Sequence, residues 1–209
     1  FLRDILAEGR LRLPERPCET LKDRLIFTFY GRPSYVRSEI DSALTRPTGA
    51  PTYILLKPTA LAQAAMAHPL DTGAFKEELY KGHIDQAFQA TDFGFEPSQD
   101  ALLKVVFHFF GSNASYMEFK PRQPNIEAGE HEALAYLDVI NSRDSARVDV
   151  RDSSIEIALR SEIPITPDTV QCVILPDVLM DSAHYGPLIK KNGIDVRAYG
   201  AAGNGHHID

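Results

Sequence analysis

The order of strand-like and helix-like segments is the feature that most constrains how this chain can fold. Short apolar runs rich in β-branched and aromatic residues, which are typical of strands, lie towards both ends of the sequence. They cover residues 25–30, 52–57, 147–150, 154–160, 170–175 and 195–199. Helical periodicity is concentrated between them, over residues 98–111 and 127–141. We therefore expect an α+β fold in which N-terminal and C-terminal strands form a mixed, mostly antiparallel sheet and the middle segment is helical.

Capping residues refine the expected helices. Ser98 precedes the apolar stripe of the first middle helix and is predicted to be its N-cap. Thr59 is predicted to cap an Ala-rich helix that runs to Ala67. A cap at Thr72 or Asp71 is expected to begin another short helix, which ends near Gly82.

Length and composition limit the class of protein. The chain has 209 residues, of which 44% are hydrophobic and 24% charged, as in globular proteins with a real core. We expect a single domain over residues 1–209, with residues 200–209 as a tail. No apolar run approaches the roughly 20 residues of a membrane helix, so we expect no membrane partner. The chain starts at Phe1 without an initiator Met, and we expect it to be truncated at its N-terminus.

Charge and cysteine content narrow the environment. Twenty-two Lys and Arg against 29 Asp and Glu give a formal net charge of −7, which provides no overall attraction to phosphate backbones or anionic lipids. A local basic groove stays compatible with this charge. There are two cysteines, Cys18 in a loop and Cys172 in an apolar run, so a disulfide framework is not expected. This usage predicts a reducing compartment, the cytoplasm.

Glu156 is the first candidate functional residue. In the predicted strand 154–160, Ile155 and Ile157 share one face and Glu156 lies on the other. One interpretation is a solvated carboxylate on an exposed strand face. The other is a carboxylate that projects from a rigid strand into a cleft, with the apolar strand 170–175 as the floor of that cleft.

Arg32 is the second candidate. It lies between Gly31 and Pro33 at the end of an aromatic strand, where the proline restricts its backbone to an extended conformation. Its guanidinium can bind a pyrophosphate or a carboxylate bidentately, and Tyr30 or Tyr35 can supply a ring for stacking. The alternative is a structural arginine that pairs with an acid on a neighbouring loop.

Three short patches together resemble the ADP-ribosyltransferase fold, and within it the DNA-targeting ADP-ribosyltransferase toxins. The opening segment has Ile5-Leu6 followed by Gly9, the aromatic strand leads to Arg32, and Glu156 lies late in the chain after Ser154-Ile155. Residues 60–141 lie outside the resemblance.

The resemblance implies an NAD-consuming transferase, of the kind that acts as an intracellular toxin or a defence effector. It implies that Arg32 binds the NAD phosphates and that Tyr30 or Tyr35 packs on the nicotinamide or ribose. Glu156 would bind the nicotinamide ribose and stabilise the oxocarbenium-like transition state. Arg151 and Ser154 would be further contacts to NAD. The acceptor stays open: a nucleobase of a nucleic acid, a protein side chain, a small molecule or water.

Two other classes compete with this interpretation. A non-catalytic recognition or assembly domain of a larger protein fits the missing N-terminus and the lack of a strong catalytic signature.

The sequence contains no nucleophile elbow, Walker loop or Rossmann glycine pattern, which excludes serine hydrolases and P-loop enzymes. A metal-dependent hydrolase would draw on His68, Asp71, His83 and Asp85, although their spacing matches no familiar metal site. We expect such histidines to be solvated or hydrogen-bonded instead.

Overall fold

The computed structural model describes residues 2–32, 51–142, 151–180 and 182–200. These residues form two compact units. The first is drawn from the described parts of segments 1–13, 38–62 and 161–209, and the second from segments 14–37 and 63–160. The predicted strand 147–150 and residues 201–209 of the predicted tail lie outside the described residues.

The helices and strands follow one another in a mixed α+β order. The strands are β1 (Arg10–Leu11), β2 (Ile26–Phe29), β3 (Tyr53–Leu56), β4 (Ala64–His68), β5 (Glu156–Leu159), β6 (Ile163–Pro164), β7 (Val170–Pro176) and β8 (Val196–Tyr199). The α-helices are α1 (Leu2–Glu8), α2 (Thr72–Lys76), α3 (Gln99–Phe110), α4 (Asn113–Met117), α5 (His131–Asn141) and α6 (Gly186–Asn192). The α+β class expected from the sequence is confirmed.

The first unit contains two small sheets. β7 lies between β3, to which it is antiparallel, and β8, to which it is parallel, while β1 pairs with β6. An apolar cluster fills this unit, and it joins α1 and α6 to the sheet. Its buried members are Leu2, Leu6, Ile165, Val170, Val173, Leu175, Ile189 and Ile194. N-terminal and C-terminal strands therefore meet, as predicted, but the described strands form separate sheets instead of the one mixed sheet that was expected.

The second unit is built on an antiparallel sheet with β5 in the centre, between β2 and β4. In this register Glu156 lies opposite Phe29 on one side and His68 on the other. All four residues of β5 are buried. The exposed strand face that alternation allowed for Glu156 is therefore wrong, because β5 is a central strand with neither face open to solvent. The apolar strand expected to form the floor of a cleft around Glu156 is β7, which belongs to the sheet β3–β7–β8 of the first unit.

Helices α3 and α5 confirm the two helices predicted in the middle segment. The Ser98 hydroxyl accepts a hydrogen bond from the Ala101 N–H at the start of α3, and Gly111 ends that helix with φ of 81°, a conformation that favours glycine. The predicted Ala-rich helix from Thr59 to Ala67 is wrong. A 3₁₀ segment, Pro58–Gln63, is followed there by β4. Pairing with β5 supplies the backbone hydrogen bonds of β4 and overrides the helical preference of alanine.

Tyr116 on α4 joins the end of β2 to the start of β5. Its side chain is fully buried, its hydroxyl donates to the Tyr30 carbonyl at 3.0 Å, and it accepts from the Ile155 N–H at 3.1 Å. The Tyr30 N–H in turn donates to the Ile155 carbonyl at 2.9 Å. This bridge holds the two chain segments together beyond the ends of their strands.

Replacing Tyr116 with phenylalanine should lower the free energy of unfolding by about 1–3 kcal/mol, because it leaves the buried Ile155 N–H without its partner and removes one of the two hydrogen bonds to the part-buried Tyr30 carbonyl. Urea denaturation measures the change. Tyr30→Phe is the matched control, since the Tyr30 hydroxyl bonds to Asn113 in an exposed position, and its effect should stay below about 1 kcal/mol. Equal effects of the two substitutions would contradict the bridging role of Tyr116.

Candidate functional site

Buried polar side chains concentrate at one end of the sheet β2–β5–β4. Among the described residues, the buried polar or charged ones are Arg32, His68, Asp71, Thr72, Ser153, Ser154 and Glu156. All seven belong to the second unit. They lie where β2 and β4 end and where β5 begins, or in the segments that follow or precede these points. We call this set the polar end. Burying so many polar groups is costly unless each is satisfied, which marks the set as a candidate site.

Glu156 is held at the polar end by the start of α2. The Thr72 hydroxyl donates to Glu156 Oε1 at 2.7 Å, and the Thr72 backbone N–H also bonds to this carboxyl. Asp71 fixes the position of Thr72, because its Oδ1 caps α2 by accepting from the Ala74 N–H at 2.8 Å. Of the two residues predicted as the cap, Thr72 and Asp71, it is Asp71 that caps α2, and the helix ends at Lys76 rather than near Gly82.

The environment of Glu156 favours its protonated form. Burial raises its pKa from 4.5 to about 8, the Thr72 hydroxyl opposes this rise, and the negative charge of Asp71 adds to it. Glu156 is therefore a neutral carboxylic acid at pH 7. Such a group can donate a proton, and it becomes a base once it has lost that proton.

His68 is the neighbour of Glu156 across the sheet. Its side chain has no exposed surface, and Nδ1 lies 3.9 Å from Glu156 Oε1. Gly94 closes the other side of the ring, where an added Cβ would lie 3.3 Å from Nε2. Among the described residues, neither ring nitrogen has a hydrogen-bond partner. Burial lowers the His68 pKa from 6.5 to about 4, so the dominant form of this contact at pH 7 joins two neutral groups.

Arg32 lies in an aromatic slot at the end of β2. Its guanidinium carbon is 4.9 Å from the centre of the Tyr116 ring and 5.0 Å from that of Phe119. Nη2 donates to the carbonyl and the hydroxyl of Ser153, at 2.5 and 2.6 Å. Cation–π contacts of this kind keep the arginine charged and oriented. Since Ser153 is three residues before Glu156, the slot places Arg32 beside the segment that leads into β5.

The structure thus places the two main residues predicted from the sequence, Arg32 and Glu156, in the polar end, where Arg32 bonds to Ser153, three residues before Glu156. Ser154 is fully buried, and in the sequence it lies between Ser153 and Glu156. The Tyr30 ring lies 5.8 Å from that of Tyr116. Tyr35 lies outside the described residues.

Arg151 is tied to α2 and its flanks. Its Nη1 bonds to Glu77 Oε2 at 3.0 Å. Its carbonyl accepts from the Asp71 N–H at 3.2 Å and from the Tyr80 hydroxyl at 3.1 Å. Arg151 therefore helps to fix the residue that caps α2.

Sequence reasoning missed that His68 and Thr72 belong with Glu156. His68 entered only as a metal-ligand candidate, and the segment before it was interpreted as a helix. The four metal-ligand candidates are not assembled: His83 pairs with Asp138 at 2.9 Å, and Asp85 accepts from the Ala87 N–H. The described part of the chain contains no group of three or more residues able to hold a metal ion.

Comparisons with protein-family models, with curated proteins and with solved structures find no match to this chain. Within the described ranges, no helix has both the length and the apolar character needed to cross a bilayer.

The paired burial of Glu156 and His68 predicts a specific pH dependence of stability. The folded chain binds the Glu156 proton more tightly than the unfolded chain, so this group destabilises the fold as the pH rises from 4.5 to about 8. His68 acts in the opposite direction between about pH 4 and 6.5. The two contributions oppose each other below 6.5, and above it only the contribution of Glu156 remains.

We therefore expect the free energy of unfolding to fall by up to about 2 kcal/mol between pH 6.5 and 8. Urea denaturation at a series of pH values measures this fall. Glu156→Gln cannot ionise, so its profile should be flat over the same range. A flat profile for the unmodified chain would show that Glu156 ionises well below pH 8.

Proposed function

We propose that this protein is an NAD-consuming ADP-ribosyltransferase-like enzyme whose site is the polar end. The observation that carries the proposal is the contact between Arg32 Nη2 and Ser153. It binds a buried guanidinium to the residue three positions before Glu156, whose carboxyl is also buried. One residue supplies fixed positive charge for phosphate groups, and the other supplies a carboxyl for a cationic sugar centre. Nothing in this arrangement depends on a metal ligand.

In the proposed reaction, the bond between the nicotinamide ring and its ribose breaks, and the acceptor bonds to the same ribose carbon while losing a proton. Ionised Glu156 stabilises the positive charge that develops on the ribose. The nicotinamide ring of NAD is itself cationic, and a positive charge nearby favours ionisation of a carboxyl. Substrate binding therefore promotes the active form of Glu156. Arg32 binds the pyrophosphate, with Tyr30, Tyr35, Ser154 and Arg151 as the surrounding contacts. The acceptor is a nucleobase of a nucleic acid, a protein side chain, a small molecule or water, and the site of action is the cytoplasm.

NAD should raise the unfolding temperature of the protein. A ligand that binds only the folded state stabilises it by about 2.7 kcal/mol at a hundredfold excess over its Kd. Arg32→Lys keeps the charge but loses the bidentate fork, so we expect at least about a tenfold weaker Kd for NAD. Thermal shifts titrated with NAD measure both values.

Arg122→Lys is the matched control, since the Arg122 side chain is exposed and its Nε donates to the His108 carbonyl. It should bind NAD like the unmodified protein. An equal shift with Arg32→Lys would remove Arg32 from the site, and no shift in any variant at millimolar NAD would contradict NAD binding.

Glu156→Gln should lower NAD turnover by at least about a hundredfold while leaving the fold intact, because the amide cannot carry the negative charge. In the unmodified protein, kcat/KM should increase as the pH rises through about 8, where Glu156 ionises. Release of nicotinamide measures both quantities, and circular dichroism checks the fold. Turnover that Glu156→Gln leaves unchanged would refute the assigned role.

A second candidate function is a non-catalytic recognition or assembly domain. It is favoured by the burial of the same two residues, since Glu156 is only 3% and Arg32 only 8% exposed. NAD can reach them only if the groups that cover the polar end move. A protein that shows neither an NAD-dependent thermal shift nor nicotinamide release would belong to this second class.

A further inference from the structure

His68 is a buried imidazole whose role in the fold is not structural hydrogen bonding. Neither ring nitrogen has a partner among the described residues, and burying an unpaired polar group costs stability. Nδ1 nevertheless lies 3.9 Å from Glu156 Oε1, because the register of β4 and β5 sets the two residues opposite each other. A displacement of either atom by about 1 Å towards the other brings the two atoms to hydrogen-bond distance.

Ionisation of Glu156 places an unfavourable negative charge in the buried polar end. A bare carboxylate would be buried, and Asp71 at the start of α2 already contributes negative charge there. Before the cationic nicotinamide ring is in place, releasing the proton to solvent leaves this carboxylate uncompensated, which is unfavourable in a desolvated site. Moving the proton to His68 instead leaves an imidazolium beside the carboxylate, and the pair as a whole stays neutral.

We propose that His68 is a positioning residue that takes up the proton of Glu156 when the carboxyl ionises for NAD cleavage. The O–H bond at Glu156 breaks, its electron pair stays on the carboxylate, and an N–H bond forms at His68 Nδ1. The step needs no other reactant. It rests on the function proposed above, and it assigns to His68 the part of a proton store for that reaction.

The proton position is measured in the free protein by NMR of histidine labelled with ¹⁵N, with His68→Gln to assign the signal. Between about pH 6.5 and 8, His68 should show a partial imidazolium signature in the unmodified protein and none in Glu156→Gln. A ring that stays fully neutral in both proteins over this range would overturn the proposal.

The second measurement is the pH profile of nicotinamide release. His68→Gln should lower NAD turnover by about tenfold at pH 7 but by less than about threefold at pH 9, where solvent accepts the proton. His83→Gln is the matched control, because His83 also contacts a carboxylate, Asp138, but away from the polar end. It should leave both rates unchanged.

The two measurements separate the possible failures. An equal loss of turnover at pH 7 and 9 in His68→Gln would show a structural role and overturn the proposal. If the unmodified protein releases no nicotinamide, the proposed function fails. In that case the NMR result still decides whether His68 and Glu156 share a proton.

Discussion

Desolvation of one carboxyl governs the second unit of this protein. Glu156 begins the central strand of its sheet and is buried there, so its surroundings must either neutralise or solvate it. The fold does both: the pKa of the carboxyl is raised, and Thr72 supplies hydroxyl and backbone donors. The short helix α2, its cap at Asp71 and the contact of Arg151 with the same residue are arranged around this requirement.

The polar end combines groups that a stable core alone would not select. An apolar residue of similar volume at position 156 would avoid the cost of burying a carboxyl. The same end holds a guanidinium in an aromatic slot and an imidazole without a described partner. Buried groups with opposite shifts in pKa, placed on neighbouring strands, are the arrangement in which proton transfer occurs at moderate pH.

Sequence patterns predicted the elements better than the site. Capping and periodicity located α3 and most strands, because those signals are local. They failed at β4, where pairing with β5 overrides the preference of an Ala-rich segment for helix. That error concealed His68, since a loop residue that follows a helix would not have been placed opposite Glu156 in a sheet. Alternation along β5 also suggested an exposed face, because it cannot reveal whether the far side of a strand is covered.

Tyr116 has a consequence for how this site can change. Its ring packs against the Arg32 guanidinium, and its hydroxyl holds the backbone of Ile155, the residue before Glu156. The separation between the Arg32 guanidinium and the backbone that leads into β5 is thus set by the dimensions of one phenol. A smaller or larger side chain at position 116 alters that separation and the strand pairing together. A change of residue at position 116 must therefore be matched by changes in α4 and at the ends of β2 and β5.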